Sequence, residues 1–107
     1  MVKKRSTKWH DALEKKVLAD PIGRAAYEET KLQLELGEKL KAERKRLHLT
    51  QLTVAHRMGT KKSAIARLES GEKYKSSPSL LTLVKYACAL GKKLKIDLIT
   101  FKKESRN

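Results

Sequence analysis

The sequence contains few of the residues on which secreted proteins and single-strand binders depend. It has one cysteine, Cys88, and aromatic residues make up only 5% of its 107 residues. A single thiol excludes an internal disulfide framework, and scarce aromatics argue against stacking platforms for single-stranded nucleic acid. Because Cys88 lies in the apolar stretch 80–90, we predict a buried and unreactive thiol.

Patterns typical of catalytic and metal sites are also missing. We find no paired carboxylates, no nucleophile with a neighbouring base and no phosphate-binding glycine loop. His10, His48 and His56 have no cysteine or carboxylate partners at metal-ligand spacing. We therefore predict that the protein is not an enzyme and holds no cofactor or metal. Nothing resembles a signal peptide or a membrane span, which favours a cytoplasmic protein.

Positive charge, in contrast, is abundant. The chain has 26 Lys and Arg against 12 Asp and Glu, which gives a net charge of +14 and a pI near 10.1. A nucleic-acid duplex carries a dense line of phosphates, and neutralising them releases counterions. The charge therefore favours nucleic acid as a partner, and the alternative is a basic surface that only keeps the protein soluble. A chain of this length can form one domain with a modest core.

The N-terminal part is predicted to be an arm followed by a helical extension. Residues 1–8 are basic and polar, which is typical of a flexible arm. Residues 9–36 form the predicted extension, and Trp9, Leu13 and Val17 recur at helical spacing within residues 9–19, which predicts a helix there.

A longer helical stretch begins at Asp20 and Pro21, which fit a helix N-cap and the first helical position. Residues 22–47 are rich in helix-forming residues. Gly37 lies in the middle, so one long helix and two joined helices are both possible. His48 is expected to mark the C-terminal turn.

Two short helices are predicted next. Thr50 is a candidate N-cap for a helix over 51–58, which Gly59 ends. Thr60 is the candidate cap of a second helix over 61–69.

The C-terminal third changes its periodicity. A polar loop over 72–78 precedes a helix over 80–90, and residues 92–101 then alternate with period two, which indicates a β-strand. Residues 102–107 are a polar tail. The predicted fold is mostly α, a helix-turn-helix bundle of about five helices with a C-terminal strand.

The segment 49–72 meets the demands of a helix-turn-helix. Ala55 is the small residue needed where the two helices meet, Gly59 permits the sharp turn, and Ile65 anchors the second helix in the core. Further apolar support comes from Leu49, Val54, Met58 and Leu68.

The pattern T-Q-x-x-x-A-x-x-x-G-T-x-x-S-x-I-x-R-x-E-x-G resembles the Xre family of phage-repressor-like regulators, over about residues 37–91. The resemblance implies a DNA-binding domain in which Lys62 and Arg67 reach guanine N7 and O6. The alternative for any one lysine is solvated surface charge. The DNA-contacting set implied by the family comprises Thr50, Gln51, Thr60, Lys61, Lys62, Ser63, Arg67 and Lys73, with Gln51, Lys61 and Lys73 as phosphate contacts. The resemblance also implies a structural pair between Arg44 and Glu69.

Two segments flank the motif, DPIGRAAYEE over 20–29 and ALGKKLKIDLI over 89–99. With the motif between them they are similar to HigA-type antitoxins, which bind a RelE-like (HigB-like) ribonuclease toxin and repress their own operon. That similarity implies a homodimer on a palindromic operator, formed through the C-terminal strand with Leu94, Ile96 and Leu98. It also implies a toxin-binding surface, for which Trp9, Leu13, Val17 and Tyr27 are candidates, although these side chains could equally pack on the core. Many such antitoxins are acidic, whereas this chain carries +14. The alternative is therefore a standalone Xre regulator of phage or plasmid type without a toxin.

Overall fold

The computed structural model describes residues 12, 15, 19–71 and 77–100. These residues contain four helices: α1 (Pro21–Arg46), α2 (Gln51–Met58), α3 (Lys62–Ser70) and α4 (Leu80–Ala89). The predicted mostly helical fold is confirmed. Ala12, Lys15 and Ala19 are also helical, but most of the helix predicted over 9–19 lies outside the described residues, as do the arm over 1–8 and the tail over 102–107.

α1 is one continuous helix of 26 residues rather than two. Its first turn is capped as predicted, since the Gly23 N–H donates to Asp20 Oδ1 at 3.1 Å. The turn that follows Arg46 contains His48, which adopts a φ of 60°, and the Leu49 N–H bonds the Arg44 carbonyl at 3.1 Å. A left-handed residue of this kind is a common way to end a helix.

The turn between α2 and α3 explains the helix-turn-helix bend. Thr50 caps α2 by accepting from the Thr53 N–H at 3.0 Å, and Gly59 takes a φ of 70° at its C-terminus. The Thr60 N–H bonds the Ala55 carbonyl at 2.9 Å, which completes a Schellman turn. The prediction that Thr60 caps the next helix is therefore wrong, because Thr60 belongs to the preceding turn. The N-cap of α3 is Lys61, whose side chain makes no capping hydrogen bond.

The core lies among α1, α2, α3 and α4. Its largest fully buried side chains are Tyr86, Ile65 and Val54, and removing a Val or Ile side chain from water is worth roughly 1.5–3 kcal/mol. The other buried apolar residues are Leu40, Ala55, Leu68, Ala87, Ala89 and Leu90. Ala55 and Ile65 thus occupy the buried positions that the motif requires.

The predicted C-terminal strand is not confirmed, and the structure describes residues 92–100 without regular secondary structure. Leu94 packs against the core, whereas Ile96 and Leu98 are 53% and 97% exposed. An alternating pattern becomes a strand only where a neighbouring edge pairs with it, and among the described residues of one chain no such edge is present.

The prediction of a buried Cys88 is wrong, because its thiol is exposed. α4 turns a face containing Leu83, Tyr86, Ala87 and Leu90 toward the core. Cys88 lies off that face, since successive helix residues are about 100° apart.

The described chain divides into two units, one over Glu29–Lys95 and one comprising residues up to Glu28 and from Ile96 onward. The helix-turn-helix belongs to the first unit. In the second, Arg24 pairs with Glu28 at 2.5 Å and lies 4.9 Å from the ring centroid of Tyr27. No helix in the described part of the chain is long and apolar enough to cross a membrane.

Candidate nucleic-acid interface

α3 presents a basic, polar outer face and an apolar inner face. Ile65 and Leu68 are buried, whereas Lys62, Ser63 and Arg67 are exposed. Neither Lys62 nor Arg67 pairs with a carboxylate of the described residues. Their charges therefore remain available to an anionic partner.

The single carboxylate of α3 lies on its inner face. Glu69 is 5% exposed and accepts two hydrogen bonds from Arg44, one from Nε at 2.6 Å to Oε2 and one from Nη2 at 3.0 Å to Oε1. Arg44 also donates from Nη1 to the Leu49 carbonyl at 2.8 Å. The outward surface of α3 thus carries no negative charge to oppose a phosphate backbone.

Two further side chains donate to the Glu69 carboxylate. The Tyr86 hydroxyl of α4 donates to Oε2, and Gln51 Nε2 of α2 donates to Oε1 at 3.0 Å. Together with Arg44 of α1, they place donors from three other helices around one carboxylate of α3. We call these four residues the Glu69 cluster.

The cluster holds its groups in fixed charge states. Burial raises the pKa of Glu69, but hydrogen bonds from Arg44, Tyr86 and Gln51 outweigh it and leave the pKa below its ordinary value of 4.5. The hydrogen bond to Glu69 raises the pKa of Arg44. Burial, followed by the bond to Glu69, raises the pKa of Tyr86. The ion pair between Arg44 and Glu69 therefore persists at neutral pH.

The structure changes the expectation for Gln51. A carboxylate is acceptor-only, so the bond to Glu69 turns the Gln51 amide nitrogen inward. The side chain is half-buried, which leaves only its second N–H and its carbonyl oxygen for an outside partner. Thr50 remains exposed beside it.

The other predicted contacts lie at the turn and the start of α3. Thr60 and Lys61 are exposed and immediately precede Lys62. Lys73, the remaining residue of the predicted set, lies outside the described residues, as do the proposed toxin contacts Trp9, Leu13 and Val17. Tyr27, the fourth, is 56% exposed.

A second ionic group lies at the end of α1. Glu43 Oε2 is 2.5 Å from Arg46 Nη2 and 3.1 Å from Lys92 Nζ. Hydrogen bonds from Arg46 and Lys92 lower the pKa of Glu43 to about 2. Arg46 and Lys92 thus pair with Glu43 and are not part of the basic face of α3.

Sequence reasoning missed three of these roles. Tyr86 reads as an ordinary core aromatic, and only its hydroxyl marks a need for a buried partner. Arg57 donates to the Ala89 carbonyl at 2.8 Å, which no sequence signal indicated. Glu43 and Lys92 are too far apart in sequence for a helical-spacing rule to link them.

Across the described ranges, no three His, Cys, Asp or Glu side chains come together as a metal site requires.

Comparison with known proteins identifies relatives of this arrangement. Residues 40–96 match the helix-turn-helix family. The chain is 35% identical over 82 residues to antitoxin HigA1 from two strains of Mycobacterium tuberculosis, CDC 1551 / Oshkosh and ATCC 25618 / H37Rv. The alignment covers 77% of this chain and 53% of each relative, so the chain spans about half the length of the curated relatives it matches. No solved structure shows a significant match.

Proposed function

The chain belongs to the Xre-type helix-turn-helix family of DNA-binding regulators, and from that premise we propose that it is a sequence-specific repressor that reads duplex DNA with α3. The observation that carries this proposal is the outer face of α3. Lys62, Ser63 and Arg67 are exposed there, while the only carboxylate of the helix is buried against Arg44.

In the proposed complex, α3 enters the major groove, whose width admits an α-helix. Lys62 and Arg67 donate to guanine N7 and O6, and Ser63 contacts a base or a phosphate. The remaining contacts position the domain on phosphates and carry no sequence information. Thr50, the second amide N–H of Gln51, Thr60, Lys61 and Lys73 form that positioning set.

The test is a Lys62→Ala/Arg67→Ala protein measured by fluorescence anisotropy on the duplex upstream of its own gene and on a scrambled duplex. A good bidentate base contact is worth about 1–3 kcal/mol of discrimination. We therefore expect the preference for the upstream duplex to fall at least about tenfold. Unchanged affinity and preference in a folded double variant would contradict the proposal.

Two controls separate base contact from simple charge. Lys31→Ala/Lys39→Ala removes two exposed cations from α1, and we expect it to leave the preference unchanged. Lys61→Ala removes a proposed phosphate contact. It should weaken both duplexes similarly and reduce the salt dependence of binding by about one counterion.

We further propose a homodimer that binds a palindromic operator. The exposed apolar side chains of Ile96 and Leu98 support it, because large apolar groups in a regular pattern favour a covering partner. Leu94, Ile96 and Leu98 are the proposed dimerisation residues, and a symmetric pair would place two α3 helices on half-sites about one helical turn apart.

The similarity to HigA1 supports an antitoxin role, in which the protein neutralises a RelE-like ribonuclease and represses the operon that encodes both. Trp9, Leu13, Val17 and Tyr27 are the proposed docking residues. The test is co-expression with the neighbouring reading frame. Formation of a stable complex that suppresses the neighbour's ribonuclease activity supports this role.

A standalone regulator without a toxin is the second candidate. The net charge of +14 favours it, because a basic chain is poorly suited to a basic ribonuclease. The absence of a complex, together with intact binding to the upstream duplex, would identify the standalone regulator.

A further inference from the structure

An open groove runs along the outer side of α4, between that helix and the C-terminal end of α2. Its volume is about 520 Å³, within the range of roughly 300–1,000 Å³ typical of ligand clefts. Met58, Val84 and Ala89 provide apolar walls, and Arg57 and Lys85 add two cations to the lining. The groove is thus suited to an apolar segment that carries a carboxylate.

The chain itself contains such a segment. Ile96, Leu98 and Ile99 are 53%, 97% and 64% exposed, which is unusual for three large apolar side chains within four residues. Asp97 lies between them and is the only acidic residue in the range 77–100.

We infer that the groove beside α4 in one copy of this chain binds residues 96–99 of a second copy. Apolar side chains of the segment fill the space between Met58 and Val84, and Asp97 meets Lys85 at the groove. The inference rests on the proposed dimer and names the surface that completes it.

A second copy is the occupant that accounts for both features together. Each copy offers this groove and this exposed apolar segment. If each copy places its segment in the groove of the other, both grooves and both segments are covered and the dimer is closed by a two-fold axis. The charges match, because a segment with one carboxylate meets a groove with two cations. The lining that the structure describes contains no residue of α3, so the exchange leaves the outer face of that helix free in both copies.

The exchange also differs from direct pairing of two C-terminal strands. Pairing joins the backbone of one segment to its own counterpart and needs no residue of α4. Exchange requires Val84 and Lys85, and it makes the charge of Asp97 matter only in combination with the charge at residue 85.

A charge swap tests the exchange, with dimer dissociation constants measured by sedimentation equilibrium on the full chain. Lys85 and Asp97 are both exposed, so their variants should fold, and circular dichroism melts check that they do. We expect Lys85→Glu and Asp97→Lys each to weaken the dimer about twofold to thirtyfold, because a symmetric exchange contains this exposed ion pair twice and each substitution breaks both copies. The Lys85→Glu/Asp97→Lys protein should dimerise more tightly than either single variant, because it restores the pair with its charges reversed while Arg57 stays in the lining.

Apolar variants give the larger effect. Leu98→Asp on the segment and Val84→Asp in the groove should each weaken the dimer at least tenfold. Leu80→Asp, an α4 residue that is 60% exposed and outside the groove lining, is the matched control and should leave the constant unchanged.

Three results would overturn the exchange and show which proposal has failed. A dimer that is broken by Leu98→Asp but unaffected by Val84→Asp and the charge swap pairs its segments directly, so the proposed dimer stands without the groove. A dimer broken by Leu80→Asp alone uses another face of α4. A wild-type chain that is monomeric at high micromolar concentration contradicts the proposed dimer and the exchange together, while DNA binding by α3 is judged separately with Lys62→Ala/Arg67→Ala.

Discussion

At the scale of single residues, Glu69 determines how α3 is held. Its carboxylate takes hydrogen bonds from Arg44, Gln51 and Tyr86, and the side chains of Arg44 and Glu69 are 9% and 3% exposed. A buried pair of this kind adds little net stability over an apolar pair of similar volume. Removing one partner, however, leaves the other charge buried without a counter-charge, which is strongly destabilising.

We therefore expect Glu69→Ala to destabilise the protein by about 3–5 kcal/mol, because it leaves the Arg44 guanidinium buried without its carboxylate. Urea denaturation followed by circular dichroism measures the change. Glu43→Ala is the matched control, since it also removes a paired carboxylate but from a less buried site, where the side chain is 26% exposed, and its midpoint should move much less. Similar midpoints for the two variants would show that burial of the pair does not matter.

The same cluster predicts the response to acid. The folded-state pKa of Glu69 is below the ordinary 4.5, so its contribution to stability is complete above about pH 4.5 and is lost as the pH falls through the folded value. Glu43, with a pKa of about 2, acts in the same direction, but its half-buried ion pairs are more screened by solvent and contribute less. We expect the urea midpoint to decline below about pH 4.5, and the decline to be shallower in Glu69→Gln. Parallel pH profiles for the two proteins would exclude Glu69 as a source of the acid sensitivity.

The pairing of Arg44 with Glu69 follows from the family resemblance, but the rest of the cluster does not follow from the sequence. Tyr86 reaches Glu69 because α2 packs against both α3 and α4, and no local pattern encodes a contact between residues 17 positions apart. Gln51 was expected to face phosphate. Its inward bond depends on where the Glu69 carboxylate lies, which only the packed structure gives.

At the scale of helices, Gly37 shows why local propensity is an incomplete guide. Sequence reasoning treats it as a weak point, whereas α1 continues through it. A Cβ built at this position would lie 2.5 Å from the Leu68 carbonyl oxygen. The glycine therefore allows α1 to approach the C-terminal end of α3.

Gly37→Ala accordingly sets two effects against each other. Alanine favours a helix interior by about 1 kcal/mol over glycine, but the new methyl group must push the α3 backbone away, and overpacking costs about 1–3 kcal/mol. We expect net destabilisation, because the atom that is met belongs to backbone rather than to a flexible side chain. A higher thermal midpoint than wild type would show that α3 yields easily.

Helix boundaries were predictable where the capping residue is adjacent in sequence to the helix that it begins or ends. Asp20, Thr50 and Gly59 all act as their sequence context indicates. Thr60 does not, because α3 begins one residue later than predicted, at Lys62, and its N-cap is Lys61. The strand over 92–101 needs a hydrogen-bonding neighbour, and a periodicity within one segment cannot supply one.

At the scale of the whole molecule, the net charge of +14 predicts the class of partner but not the surface that meets it. The structure distinguishes cations that are bonded to other groups of the chain from cations that are exposed without a carboxylate partner. Arg44 is buried with Glu69, Arg57 bonds the end of α4, and Arg46 and Lys92 meet at Glu43. Lys62 and Arg67 remain on the outer face of α3, so the proposal of a DNA interface rests on their placement rather than on total charge.

Amide chemical shifts report directly whether α3 is the surface that meets duplex DNA. A ¹⁵N-labelled chain is titrated with the duplex upstream of its own gene, and perturbations are mapped along the sequence. We expect the largest changes at residues 60–67 and at Thr50 and Gln51, with little change along the groove beside α4. Changes concentrated on α1 or on that groove, with residues 60–67 unaffected, would contradict it.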